Sequence, residues 1–133
     1  MTDATAEAGR ERRIRAQGRK HRELEAVAES LDPRLAQWID GWIFGEVWDE
    51  EMSFGDRQLV AIVALAATDK PSQLKNYLHG ALQDGMPPRR IHEALLMLSV
   101  YVGFPTTLQA LGVWREVVVA ARRNGAEIDV PLQ

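Results

Sequence analysis

The side chains able to do chemistry in this chain are carboxylates, imidazoles, hydroxyls and guanidinium groups, because its 133 residues include no cysteine. Without thiols there is no disulfide framework, no cysteine-ligated zinc, no iron–sulfur cluster and no thiol redox centre. Among the carboxylates, Glu46 stands apart from the acidic run Asp49-Glu50-Glu51. It follows Gly45, lies four residues after Trp42 and seven after Ile39, and is flanked by Phe44, Val47 and Trp48. On a regular helix that spacing puts a carboxylate on or beside the apolar face, where it either pairs with a cation or takes a raised pKa suited to acid–base work. Arg57 is the expected partner, since it opens the next helix while Glu46 stands near the end of the preceding one. A structural ion pair between helix ends accounts for the two residues as well as a catalytic pair does.

Three histidines complete the inventory. His21 lies in a basic arm and is expected in solvent, and His92, among charged neighbours on the first turns of a helix, is expected at the surface. His79 sits in Tyr77-Leu78-His79-Gly80-Ala81-Leu82, where the glycine lets another backbone or a ligand approach. A lone helical histidine is nonetheless more often a surface or structural residue than a catalyst. No histidine pair has metal-ligand spacing, and there is no phosphate-binding loop, nucleophile elbow or dinucleotide fingerprint.

The elements that must position these residues read as helices throughout. Asp32-Pro33 is a helix start, with Asp as N-cap and Pro at the first helical position, followed by the stripe Leu35, Trp38, Ile39, Trp42 and Ile43. Ser53 or Asp56 caps the next helix, in which Leu59, Val60, Ile62, Val63 and Leu65 leave hardly a polar face, so it is expected to be buried. A further helix runs from about Ser72 to Gln83, another opens at Pro87-Pro88, and the last spans about Thr106 to Asn124. No stretch alternates with period two as a half-buried strand does. The expectation is an all-α single-domain bundle of five to six helices.

Sixteen Lys plus Arg against nineteen Asp plus Glu give a mild net charge of −3, unevenly spread. Residues 1–22 hold seven basic and three acidic residues, with Ile14 as the only large aliphatic side chain after Met1. This segment reads as a mobile or subunit-contacting arm, followed by a helix from about Lys20 to Ser30. Residues 23–125 form the helical domain and 126–133 a C-terminal tail. The arm lacks aromatic residues to stack on bases, so nucleic-acid binding is the weakest of the functional readings. The longest apolar run, Leu59 to Ala67, is nine residues, about half of the ~20 a spanning helix needs. No membrane association is expected, and with no apolar secretion core near the N-terminus a cytoplasmic location is.

Several segments, in order and at matching intervals, resemble the carboxymuconolactone decarboxylase family, which includes an alkylhydroperoxidase-like branch. They are Phe44-Gly45-Glu46-Val47-Trp48, Asp56-Arg57-Gln58-Leu59-Val60 leading into Ala64-Leu65-Ala66-Ala67, Leu74-Lys75 with Gly80-Ala81-Leu82 and Gly85, and Val100-Tyr101-Val102-Gly103-Phe104-Pro105. The resemblance covers about residues 40–120. It implies an all-helical fold that self-associates into trimers or hexamers with sites near subunit interfaces, and a cofactor-independent reaction on a small-molecule substrate. Four tryptophans and a buried-type helix in so short a chain suit an oligomer.

Departures from the family pattern narrow the chemistry. The positions matching the peroxidase branch's Cys-x-x-Cys pair are Lys70 and Gln73, which excludes thiol peroxidase activity. The histidine thought to be catalytic in the decarboxylase branch is Tyr77 here. His79 does not replace it simply, because two residues along a helix is a rotation of about 200°. A second position that is often polar in the family is Met97. The resemblance therefore implies a lyase or isomerase acting on a small lactone or carboxylic or carbonyl compound through an enolate, with Glu46, Arg57, Tyr77 and His79 as catalytic candidates. Trp48, Met97, Tyr101 and Phe104 are the expected substrate pocket, and no metal or organic cofactor is required. The alternative is a non-catalytic oligomeric binding or assembly protein that keeps the fold.

Overall fold

The breaks in the sequence pattern are where the helices stop. In the computed structural model, which describes residues 2–133, the chain runs α1 (Asp3–Gln17), a 3-10 turn (Gly18–Lys20), α2 (His21–Leu31) and α3 (Pro33–Trp38), which passes directly into a π-helical segment (Ile39–Val47). Then follow α4 (Phe54–Ala67), α5 (Pro71–Gln83), α6 (Pro88–Val102) and α7 (Phe104–Arg123). The architecture is all-α, with no strand among the described residues. Asp32 caps α3 by accepting from the Arg34 N–H at 2.9 Å, and Ser53 caps α4 by accepting from the Asp56 N–H at 3.1 Å. No helix is long and apolar enough to cross a membrane among the described residues.

Helices α4 to α7 enclose the main core, in which Ile62, Leu78, Leu95 and Trp114 are fully buried. His92 is buried too, contrary to the surface position expected for it. The Trp114 indole N–H donates to its Nδ1 at 3.2 Å, because an indole N–H taken out of water needs an acceptor. His21 is half-buried, and its Nδ1 lies 3.0 Å from the Gly18 carbonyl oxygen. The tail folds back over the bundle. Arg122 donates to the carbonyls of Ile128, Val130 and Leu132, and Ile128 and Val130 bury their side chains in the main core.

The largest departure from the sequence reading is the basic arm. Residues 3–17 form a helix seated on the domain's own π-helical segment and on α5. Their charged composition hid this, because α1 docks by close backbone approach and by buried cations rather than by an apolar stripe. A Cβ at Gly9 would overlap the Asp40 carbonyl oxygen, and one at Gly80 would overlap the Ala16 carbonyl oxygen. Arg13, 3% exposed, donates from Nε to Asp40 Oδ1 at 2.5 Å, while its Nη2 lies 3.4 Å from a Glu25 carboxylate oxygen. Arg12 donates to the Phe44 and Gly45 carbonyls at 2.8 and 3.1 Å, and Arg15 pairs with Asp84 at 2.5 Å.

The seat leaves no room for one added methyl group. Gly80→Ala is expected to lose about 3 kcal/mol in urea unfolding, because the group it meets is backbone that cannot rotate away. Gly112→Ala, in α7 with no atom near its would-be Cβ, is expected to gain about 0.5–1 kcal/mol. Equal small effects at both positions would contradict the close approach.

Candidate functional site

The π-helical segment sets the geometry of the site. Its bonding reaches one residue further than in an α-helix, as in the Trp48 N–H to Ile43 carbonyl bond at 2.8 Å. Side chains along it therefore rotate away from the positions a 3.6-residue period predicts. Phe44 and Trp48 point inward and are buried, whereas Glu46 is exposed and its side chain makes no hydrogen bond or ion pair among the described residues. The expected placement of Glu46 beside the apolar face is thus corrected.

Arg57 is likewise not the partner of Glu46. Its guanidinium donates to the Val47 carbonyl at 2.7 Å, to the Asp49 carbonyl at 3.1 Å and to Asp49 Oδ1 at 2.5 Å. Carbonyls at a helix's C-terminal end lack intrahelical donors, and Arg57 supplies them from the first turn of α4. Its structural effect is to hold the turn that carries Trp48.

Around Trp48 an aromatic cluster forms, with ring centroids 4.9 Å to Phe44, 5.3 Å to Phe54 and 6.4 Å to Tyr77. Ala16 of α1 packs into the same cluster. Tyr77 touches both this cluster and the main core, so it sits in the seam between them. Burial pushes its phenol up to about 12, which makes it a hydrogen-bond donor and not a base at neutral pH.

The residue that the sequence reading passed over is Gln58. It is 1% exposed, yet neither its Oε1 nor its Nε2 has a hydrogen-bond partner. On α4 it is four residues from Phe54 and three from Ala61, both packed on the Trp48 cluster, and four from Ile62 of the main core. Helical spacing thus places it on the α4 face that lines the seam occupied by Tyr77. An unpaired buried amide costs about 1–3 kcal/mol. The available signal was its position four residues before Ile62 in an otherwise apolar row.

Beside the cluster, an open cleft of about 450 Å³ lies between α1 and the loop leading to α4, with Trp48, Phe54, Arg12, Arg15 and Ser53 among its walls. The Arg15 guanidinium sits 4.0 Å above the Phe54 ring centroid. Of the other candidates, His79 lines a different cleft, with Arg19 and Lys20. Met97, Tyr101 and Phe104 do not line the Trp48 cleft; they are 57%, 74% and 71% exposed around the α6–α7 junction. Among the described residues no three His, Asp or Glu side chains are grouped to hold a metal ion.

A model of the carboxymuconolactone decarboxylase family matches residues 33–116. The chain belongs to this family. Comparison with curated proteins finds no match. The matched carboxymuconolactone decarboxylase span includes Trp48, Gln58 and Tyr77 but excludes α1 and α2. In this member of the family, one wall of the Trp48 cluster therefore comes from outside the matched span, through Ala16. The arrangement offers two neutral polar groups, the Tyr77 phenol on α5 and the unpaired Gln58 amide on α4, two helices packed on one another.

Because the folded chain resists ionising Tyr77, the unfolded chain releases that proton first as pH rises. The contribution to stability is fully present below pH 10 and is lost as pH passes through about 12. Unfolding free energies from denaturant titrations between pH 9 and 12 are expected to fall less for Tyr77→Phe than for the wild type, by on the order of 2 kcal/mol at the alkaline end. Parallel curves for the two proteins would show that the phenol is not buried.

Proposed function

We propose that this family member is a cofactor-independent lyase or isomerase acting on a small lactone or carboxylic or carbonyl compound through an enolate-like intermediate. The observation that carries this reading is Gln58, whose buried amide lacks hydrogen-bond partners on the α4 row of Phe54, Ala61 and Ile62, while Tyr77 packs against both clusters to which those residues belong. A ligand carbonyl there would accept from the Gln58 N–H and the Tyr77 O–H. When a carboxylate leaves as CO₂, the electron pair left behind delocalises onto that carbonyl oxygen, and the two donors bind the resulting oxyanion more tightly than the ground state. Water supplies the proton that the carbon then takes, and the hydroxide left behind combines with the released CO₂ as bicarbonate. Arg15, 54% exposed on the cleft wall, is a cation available for the substrate's charged group.

This assigns the chemistry differently from the sequence expectation, with Tyr77 and Gln58 at its centre, Arg57 as a positioning residue for the Trp48 turn, and Glu46 outside it. The same scaffold is proposed to work as a trimer or hexamer. Met97, Val100, Tyr101, Phe104 and Leu108 form an exposed apolar patch of the kind that a second copy covers, and sedimentation reads this directly. A second reading, a non-catalytic oligomeric binding protein, draws support from the outward, exposed Glu46.

Turnover of a panel of γ-lactone acids and β-keto acids, followed by CO₂ release and ultraviolet absorbance, separates the two. Tyr77→Phe and Gln58→Leu are each expected to lower kcat/KM at least tenfold, with Glu46→Gln within about twofold of wild type. Saturable binding without turnover by the wild type would establish the second reading. Turnover unaffected by both substitutions would overturn the assignment of roles.

A further inference from the structure

On the side of α5 away from Tyr77, a second cleft of about 350 Å³ lies between the 3-10 turn, the end of α5 and the last turns of α7. Leu82, Ala120 and Ala121 supply apolar walls, Arg19, Lys20 and His79 together with the Gln83 and Asn124 amides supply the polar ones, and no carboxylate lines it. The Arg19 side chain makes no ion pair among the described residues, and the pair of Lys20 with Glu23 at 3.3 Å joins two groups that are 51% and 72% exposed. Such an exposed pair is readily exchanged for a better partner. Burial, and then the charges of Lys75, Lys20 and Arg19, hold the His79 imidazole below its ordinary value. Of the charged groups around it, Lys75 on α5 is tied to Glu116 on α7 at 3.2 Å, while Arg19 and Lys20 reach it from the turn. The cleft therefore combines positive charge that no lining carboxylate balances, an imidazole whose neutral form is favoured by its surroundings, and a hydrocarbon floor.

We propose that this cleft is a second ligand site, which binds a small carboxylate carrying a short hydrocarbon body. The carboxylate lies among Arg19, Lys20 and His79, and the body rests on Leu82, Ala120 and Ala121. Complementing the C-terminal end of α5 explains why cations gather near Gln83. It does not explain why they share a cleft with an apolar floor. Phosphate would satisfy the charges and leave the floor unused, which is why the carboxylate with a hydrocarbon body is the better fit. A bound anion favours the protonated imidazole, so ligand binding and the His79 titration are coupled.

The test is a nuclear magnetic resonance titration of the full chain labelled at histidine, with phenylacetate as probe and phenylacetamide and inorganic phosphate as comparisons. Phenylacetate is expected to shift the His79 ring signals saturably and to raise the pH at which they titrate. The double variant Arg19→Gln/Lys20→Gln is expected to weaken that binding at least tenfold, with Tyr77→Phe leaving it unchanged. Equal binding of phenylacetamide would overturn the role of the cations. Phosphate binding as tightly as phenylacetate would overturn the role of the apolar floor, and shifts that map away from His79 would overturn the site itself.

Discussion

The structure depends on how closely the α1 backbone approaches two other helices. At Gly9 it meets the carbonyl of Asp40 in the π-helical segment, and at Ala16 its own carbonyl meets Gly80 of α5. Neither approach tolerates a β-carbon. Once that spacing is set, Arg13 reaches Asp40 from a buried position, and Arg12 reaches carbonyls at the end of the π-helical segment. The cations lose water but gain charge-assisted and carbonyl bonds, which is how so charged a helix packs at all. Ala16 then closes the aromatic cluster around Trp48.

The π-helical segment is the second determinant, because it decides which side chains that cluster contains. Its wider turn brings Phe44 and Trp48 to the inside and leaves Glu46 outside. It also leaves carbonyls at its C-terminal end that α-helical bonding does not reach, and arginines from two directions take them: Arg12 from α1 and Arg57 from α4. Arg57 is thereby committed to fixing the Trp48 turn. The cluster that results is apolar and aromatic, with Tyr77 packed at its edge and Gln58 buried on the adjoining α4 row.

Much of this was legible in the sequence. Asp32-Pro33 and Ser53 mark helix starts that the structure reproduces, the all-α class follows from the absence of period-two alternation, and the segments around Trp48, Arg57, Gly80 and Gly103 carry the family. Gly80 was readable as a point of close approach, though not what approaches it. Two of the differences come from assuming a regular helical period and apolar docking, and two from judging a residue by its sequence neighbours. Glu46 was misplaced because a π-helix shifts phase without any residue type announcing it. Helix α1 was read as an arm because glycine, alanine and arginine do the docking. His92 was read as exposed from its charged neighbours, while its partner Trp114 lies 22 residues away in sequence. Gln58 was passed over because it stands beside capping residues, where polar side chains are ordinary.

The π-helical segment turns Trp48 onto Tyr77 and turns Glu46 away, and the rest of the site depends on it. Nuclear Overhauser contacts in the full chain measure it most directly. The account predicts cross-peaks from the Trp48 ring to the rings of Phe44, Phe54 and Tyr77, and none from the Glu46 side chain to Tyr77. Cross-peaks joining Glu46 to Tyr77, with Trp48 contacting neither Phe54 nor Tyr77, would contradict it.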